Sequence, residues 1–472
     1  MATQTPIKNS RLVLVAMIFA VAMMFIDQTI VSLAIPDLQR DLSLSATGAQ
    51  WIVNGYLLSL AALFMLGGKL ADVLGHRRML LVGVTGFALS SALCGATPTG
   101  GLGEAWIIAF RVVQGAFAAL LFPAALSIVV RAFPMRERGR ALAMFFGITG
   151  ALTAVGPLAG GYLTEWTWRA IFWINIPVAI IAVVLTLIAK PAEDRQAAKI
   201  DYRGAVLVTA AMSLLVLGLQ QAGTWGWTSV STIASIAAGA LLLVAFVAYE
   251  LRQAEPLVRV RLFSQRAFAA DNAVLLLMSA VFVPYFFFAS VYAQASLGDS
   301  ATQAGVFLLV FFAGFAAAAQ LGGRITDKRG ARPAVVLGCL MAAAGFLFWG
   351  SKVTGLDFGE QWHAIVIAGA GLGLVLGPVS TDALNRAPGA GYGEVTGITQ
   401  TARNLGASLG LAVMGSLFVG AQAGPAAVAH STRTVAYIMA GIMAAAFVVA
   451  QLWLPRGRAE EADAALAAPA AA

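Results

Sequence analysis

Gly67-Gly68-Lys69-Leu70-Ala71-Asp72-Val73-Leu74-Gly75-His76-Arg77-Arg78 lies between two long apolar runs. It packs glycines, one acid and a basic cluster into a connection too short to be a domain. A weaker copy stands 255 positions further on: Gly322-Gly323-Arg324-Ile325-Thr326-Asp327-Lys328-Arg329-Gly330-Ala331-Arg332. Both opening glycines, the Lys/Arg, the Leu/Ile, the Asp, the later glycine and an Arg correspond. A repeated element at that distance divides the chain into two related halves.

The chain has 472 residues, 60% hydrophobic and only 11% charged. A soluble domain carries about a quarter charged residues. A soluble fold could not hide this much apolar surface, so lipid is the expected solvent for most of it. Cys94 and Cys339 lie in apolar runs far apart, which argues against a disulfide framework. The net charge of +8 invites a nucleic-acid reading, but its placement in short loops argues against one. The first apolar run, 12–36, is followed by many more, so it reads as a retained helix rather than a cleaved signal.

A span needs roughly 20 apolar residues. That rule predicts helices near 12–35, 47–67, 78–97, 105–130, 141–163, 170–189, 203–222, 230–250, 268–292, 302–322, 334–351, 363–385, 394–419 and 433–454, fourteen in all. Loop charges test the count. With the N-terminus inside, 24 of the 30 Lys and Arg fall in inside connections, and only Arg40, Arg169, Lys352 and Arg433 fall outside. Arg111 and Arg403 lie within helices. The expectation is fourteen spans with both termini cytoplasmic. The repeat then sets 1–195 as an N-terminal half with helices 1–6, 196–255 as two inserted helices, and 256–455 as a C-terminal half with helices 9–14. The Ala-rich stretch 456–472 is expected to be a disordered tail. The tryptophans of Gly223-Thr224-Trp225-Gly226-Trp227 suit a membrane interface.

No enzyme constellation survives inspection. His76, His363 and His430 form no metal spacing, and no Walker-type Gly-Lys-Ser/Thr is present, so neither a cofactor nor ATP is expected. The glycines of 371–377 lie in an apolar span and suit helix packing. Asp27 stands apart. It lies roughly 13 Å from the outer end of helix 1, with Arg111 roughly 9 Å deep in helix 4 and Asn54 roughly 11 Å deep in helix 2. A lone carboxylate there costs on the order of 2.5–3.5 kcal/mol on insertion scales. Three polar groups at one depth on three helices suggest a shared aqueous cavity. A carboxylate holds its proton less tightly beside an arginine and more tightly in apolar surroundings. A site alternating between the two can load and release a proton. The competing reading is a fixed structural ion pair.

Asp27-Gln28-Thr29-Ile30-Val31-Ser32-Leu33-Ala34-Ile35-Pro36 resembles the helix 1 signature of the fourteen-helix drug:proton antiporters of the major facilitator superfamily. Arg111-Val112-Val113-Gln114-Gly115, followed by Pro123, resembles their Arg-x-x-Gln-Gly motif. The stretch from Gly147 through Gly156, Pro157, Gly160 and Gly161 resembles their antiporter motif, whose small residues let helices approach and permit a kink. Trp168-Arg169-Ala170-Ile171-Phe172-Trp173-Ile174-Asn175-Ile176-Pro177 resembles the start of their helix 6. The 67–78 stretch resembles the superfamily's loop between helices 2 and 3, and 322–332 its echo. The resemblance runs from Asp27 to about Phe418.

It implies an all-α integral membrane protein with the major facilitator fold, two pseudo-symmetric six-helix halves and two inserted helices. It implies export of hydrophobic or cationic drugs or antibiotics, driven by protons, from the inner membrane. Asp27 and Arg111 would couple protons. Gln28, Trp51, Asn54, Tyr56, Gln114 and Arg403 are the candidate substrate contacts. Gly68, Asp72, Gly75, Arg77, Arg78 and Asp327 would form an inner gate. In it Asp72 accepts helix N-terminal amides and its basic neighbours pair across the seam. The second copy lacks a final Arg pair, so its latch is expected to be weaker. Asp382 and Glu394 read as interfacial. The aromatic stripe of Phe282, Tyr285, Phe286, Phe287, Phe288 and Tyr292 reads as packing or lipid-facing rather than pocket. The expected partners are protons, small-molecule substrates and the lipid bilayer, not nucleic acid, with a monomer as the working unit. Two alternatives remain: a proton-coupled nutrient symporter, against which the antiporter motif and the inserted helices speak, and a non-transporting membrane sensor, for which no loop is long enough.

Overall fold

The computed structural model describes residues 9–44, 46–193, 200–299, 301–387, 390–418 and 424–458. A few side chains within helices, those of Pro157 and Gly161 among them, are outside this description, as is the expected tail from 459 on. The helices are α1 (Ser10–Leu42), α2 (Ala46–Leu74), α3 (His76–Gly95), α4 (Gly103–Ala132) and α5 (Arg138–Trp166). A short turn, Ala170–Trp173, leads into α6 (Asn175–Ala189). Then come α7 (Tyr202–Trp225), α8 (Val230–Glu250), α9 (Arg266–Ala295), α10 (Ala301–Arg329), α11 (Ala331–Lys352), α12 (Phe358–Asn385), α13 (Tyr392–Leu417) and α14 (Pro425–Trp453).

Among the described residues, twelve helices are long and apolar enough to cross a membrane. The expected fourteen differ from these by α5 and α13. The middle of α5 includes residues whose side chains are not described. Helix α13 carries Glu394, Gln400, Arg403 and Asn404, which dilute its apolar character. Many helices present large apolar side chains outward, as Val230, Ile233, Leu241 and Val244 do on α8. That is the surface a bilayer, not water, covers.

The repeated glycines explain the sharpest connections. Gly75 has φ +101° and Gly330 φ +83°, a region that side chains rarely adopt. Each ends one helix and starts the next within a single residue, α2 to α3 and α10 to α11. Caps set other starts: Asp201 accepts from the amides of Arg203 and Gly204, and Ser229 from that of Thr232.

Helix α2 packs on α4, α3 on α4, and α1 on α5 and α6. Correspondingly α10 packs on α12, α11 on α12 and α14, and α9 on α13 and α14. These two groups meet mainly along α5 with α10 and α2 with α13, with smaller contacts of α5 on α12 and α4 on α13. Helices α7 and α8 pack on one another, and α7 also lies on α2 and α13. Small residues make the close crossings. A Cβ on Gly371 would come 2.3 Å from the Ala342 amide nitrogen, and one on Gly373 2.2 Å from the Phe315 carbonyl oxygen. The glycine-rich stretch 371–377 is therefore a packing surface. Cys94 and Cys339 are buried and free.

Candidate functional site

Asp27 on α1 is fully buried, and Arg111 on α4 is 1% exposed. Arg111 Nη1 donates to Asp27 Oδ2 and, at 2.8 Å, to Gln114 Oε1. Gln114 Nε2 donates to Asp27 Oδ1 at 3.0 Å, and Asn175 Nδ2 at the start of α6 reaches the same oxygen at 3.3 Å. Asn175 also donates to Ser91 Oγ at 2.9 Å, and Ser91 in turn donates to the Phe172 carbonyl. Arg111 Nε holds the Ile52 carbonyl at 2.9 Å, and its guanidinium lies 4.3 Å over the Tyr56 ring. Helices α1, α4 and α6 thus meet at one carboxylate, and α2 and α3 join the cluster through Arg111 and Asn175. A buried charge pair persists only with its remaining hydrogen-bonding capacity met in this way.

The equal-depth expectation brings Asp27 and Arg111 together, but not Asn54. That residue is half-buried, and among the described residues no hydrogen bond joins it to either. The shared aqueous cavity is corrected as well, because the pair is sealed from solvent. Asn175 was legible only as part of the Trp168–Pro177 stretch. An amide inside an apolar run was the available signal.

A cavity of about 470 Å³ lies beside the pair. Its wall includes Met24, Phe25, Gln28 and Thr29 of α1, so the residues flanking Asp27 face it while Asp27 does not line it. Phe64 of α2, Thr149 of α5, Phe282, Phe286 and Phe287 of α9, Phe315 of α10, and Gln400, Arg403 and Asn404 of α13 complete most of it. It reaches Gln294 and Gly305, near the adjoining ends of α9 and α10. Of the expected substrate contacts, Gln28 and Arg403 line this cavity. Gln114 and Tyr56 serve the Asp27–Arg111 pair instead, and Trp51 and Asn54 do not line it. The α9 stripe divides its work. Phe282, Phe286 and Phe287 form cavity wall, while Tyr285, Phe288 and Tyr292 are packed inside. The helical period sends neighbouring rings to different sides.

The antiporter-motif stretch adjoins both features. A Cβ on Gly156 would come 2.0 Å from Thr29 Oγ1 and 3.1 Å from the Ile26 carbonyl, so α5 presses on α1 beside Asp27. Gly147 has more room, with Gln320 Nε2 at 3.6 Å from such a Cβ. The Gly160 carbonyl accepts from Thr164. Helix α5 runs unbroken through the motif. Pro157 and Gly161, on which the expected kink rests, lie outside the described side chains.

The repeated stretches close one end of the bundle. Asp72 accepts from the amides of Gly393 at 3.0 Å and Glu394 at 2.7 Å, the second and third residues of α13. Asp327 accepts from the amides of Gly139 at 2.9 Å and Arg140 at 3.1 Å, the second and third residues of α5. Each aspartate caps the first turn of the helix facing it, where unsatisfied amides and the helix dipole favour an anion. The second latch is therefore as complete as the first, because backbone amides supply the contacts and a terminal Arg pair is not needed. A Cβ on Gly68 would come 2.1 Å from the Gly393 carbonyl oxygen, and one on Gly323 2.6 Å from that of Gly139.

The basic part of the gate expectation is corrected. Among the described residues neither Arg77 nor Arg78 pairs across the seam; Arg77 is half-buried and Arg78 exposed. Arg138 reaches Asn385 Oδ1 at 2.9 Å, and both Arg131 and Arg138 lie 5.2 Å over Tyr392. Lys69 holds the Pro256 carbonyl at 3.1 Å. Asp382 lies three residues before the end of α12, and Glu394 is the third residue of α13. Both are buried, Asp382 on Arg386 at 2.9 Å and Glu394 on the Arg259 amide.

Residues 17–411 match the sequence profile of the Major Facilitator Superfamily, and the chain belongs to it. It is 36% identical over 409 residues to the tetracenomycin C resistance and export protein of Streptomyces glaucescens, covering 86% of this chain and 75% of that one. It is 31% identical over 419 residues to the multidrug resistance protein Stp of Mycobacterium tuberculosis, covering 87% and 76%. It is 33% identical over 403 residues to the cephamycin export protein CmcT of Amycolatopsis lactamdurans, covering 82% and 81%. In fold it is similar to the proton:xylose symporter XylE, with a TM-score of 0.70 at 15% identity over 98% of this chain and 100% of that one. At that identity the likeness speaks for the fold alone. The protein is an all-helical, multi-pass membrane transporter of this superfamily.

Proposed function

We propose that the chain is a proton-coupled antiporter that exports hydrophobic, drug-like compounds by alternating access. The observation that carries this reading is the buried Asp27–Arg111–Gln114–Asn175 cluster set against the apolar wall of the cavity. The likeness to antibiotic and multidrug export proteins over more than four-fifths of the chain supports the direction of transport. Protonation of Asp27 would release Arg111 from its counter-charge and loosen α1 from α4 and α6. Because Gln28 and Thr29 face the cavity one turn or less away, that loosening reaches the substrate site. Rocking of 1–195 against 256–455, with 196–255 riding along, would open and close the two aspartate latches. In this reading α5 and α13 also span, which gives fourteen crossings. The latched, Arg-rich end faces the cytoplasm of the inner membrane with both termini, and one chain is a working unit.

Expression in a pump-deficient bacterium, across a panel of chemically diverse toxic compounds, tests this directly. Resistance to some members should rise, and efflux of those should stop when the proton gradient is collapsed. Full efflux without a gradient, or no compound exported at all, would overturn it.

A further inference from the structure

The cavity wall holds one formal charge among the described residues, and it is a cation. No Asp or Glu lines the cavity. Other buried carboxylates are engaged elsewhere: Asp27 on Arg111, Asp72 on the α13 amides, Glu394 on the Arg259 amide and Asp382 on Arg386. Asp271 of α9, which has no hydrogen-bond partner among the described residues, lies near Asp382 and Arg386 and does not line the cavity. Arg403 Nη1 donates to Gln400 Oε1 at 2.7 Å, and Nε is buried with no hydrogen-bond partner among the described residues. A guanidinium has five N–H donors in a rigid fork. Arg403 therefore keeps most of its donating capacity unspent, in surroundings where an uncompensated charge is costly.

The rest of the wall says what shape of molecule would bring the missing counter-charge. Phe282, Phe286 and Phe315 present aromatic surface, with Phe282 and Phe315 5.4 Å apart between centroids. The volume of about 470 Å³ is that of a small-molecule site. A flat apolar body with one acidic group would fill the aromatic wall and offer a charge-assisted, two-pronged partner to the fork. A cation at the same place would meet like charge with no carboxylate to offset it.

We propose that Arg403 is the docking group for an acidic function on the exported compound, an aromatic carboxylate or phenolate, and that the cavity prefers such anions over cations of the same shape. This rests on the export reading above and narrows its substrates.

A matched ligand series tests it: 9-anthracenecarboxylate, 9-anthracenemethanol and 9-(aminomethyl)anthracene. Binding to purified protein in nanodiscs is read by anthracene anisotropy, and transport by proton-gradient-driven uptake into proteoliposomes. The wild type should bind the carboxylate best and the ammonium compound worst. Arg403→Gln should weaken the carboxylate about tenfold or more and move the alcohol by no more than about twofold. Arg403→Lys, which keeps the charge and loses the fork, should fall between. Equal weakening of all three ligands in Arg403→Gln assigns Arg403 a structural role and overturns the proposal. So does a wild type that takes the ammonium compound best, while leaving the export reading standing. Uptake of none of the three by wild-type proteoliposomes overturns the export reading and the proposal with it. Should Arg403→Gln fail to give monodisperse protein, the wild-type ranking and Arg403→Lys decide alone.

Discussion

The two halves of this molecule each place an arginine inside a long helix of the bundle and treat it differently. In the first half, Arg111 meets Asp27, Gln114, the Ile52 carbonyl and the Tyr56 ring, and is sealed away from the cavity. In the second, Arg403 has Gln400 and a cavity. At the latched end the halves behave alike, with Asp72 and Asp327 capping α13 and α5 through the same two backbone positions. The shared part is backbone geometry, which the repeat duplicates. The divergent part is side-chain chemistry, free to specialise once the scaffold is fixed. Under the proposed function, the first half would hold a proton against a counter-ion and the second would leave a charge for a ligand.

The largest expected effect lies at Asp27. Asp27→Asn should reduce gradient-driven efflux, normalised to the amount of transporter in the membrane, to the level of cells without the transporter. Full efflux in this variant would remove the proposed division of labour between the halves.

Next comes the pair itself. Either single neutralisation leaves a charge buried and unpaired, at a cost of about 3–5 kcal/mol. Asp27→Asn combined with Arg111→Gln should regain thermal stability relative to the worse single variant, yet stay inactive in antiport. The readout is a double-mutant cycle on melting temperature and on substrate-induced proton release. Additive stability effects would show that the contact carries no coupling. Recovered antiport would move the proton to another acid, with Asp382 the first to test.

The two latches should differ in degree. Asp72 is 1% exposed and has His76 Nε2 at 3.5 Å, whereas Asp327 is half-buried. Charge-assisted bonds weaken where water competes. Asp72→Ala should therefore cut transport more than Asp327→Ala, with substrate affinity in detergent changed little by either. Cysteine accessibility at the latched end, measured in both variants, checks this. Equal effects would mean burial does not distinguish the two caps.

The smallest effect is expected at Arg77 and Arg78. Neither pairs across the seam among the described residues. Exposed charges contribute about 0–1 kcal/mol. Arg77→Gln with Arg78→Gln should leave transport within about twofold, while Arg138→Gln, which loses Asn385 and Tyr392, should do more. A large loss in the first variant would restore the basic latch that the geometry replaces with Arg138.

The glycine–aspartate stretch was legible because its demands are local. Gly75 and Gly330 need positive φ, Gly68 and Gly323 need the space of a Cβ, and both copies carry the same residues. Asp27 and Arg111 were legible by depth, since a charge so far from either end of a span has few partners. Asn175 and Ser91 were not, because small polar residues are common in helices that bear no site. Depth also misled at Asn54. It fixes height in the membrane and says nothing of the direction a side chain takes around the helix.

That limit marks what the chain by itself determined. Apolar run length, loop charge and the repeat establish a membrane bundle in two related parts, because the cost of placing each residue in lipid or water is paid residue by residue. Tertiary structure alone decided which polar groups meet, that Asp27 is sealed off while Gln28 faces the cavity, and that Arg403 stands in the wall without a carboxylate. A helix apolar on nearly every face has no stripe to fix its rotation. Each residue turns the next by about 100°, so neighbours in sequence face different surroundings. The close approach of α1, α4, α5 and α6 sets that rotation, and with it the site.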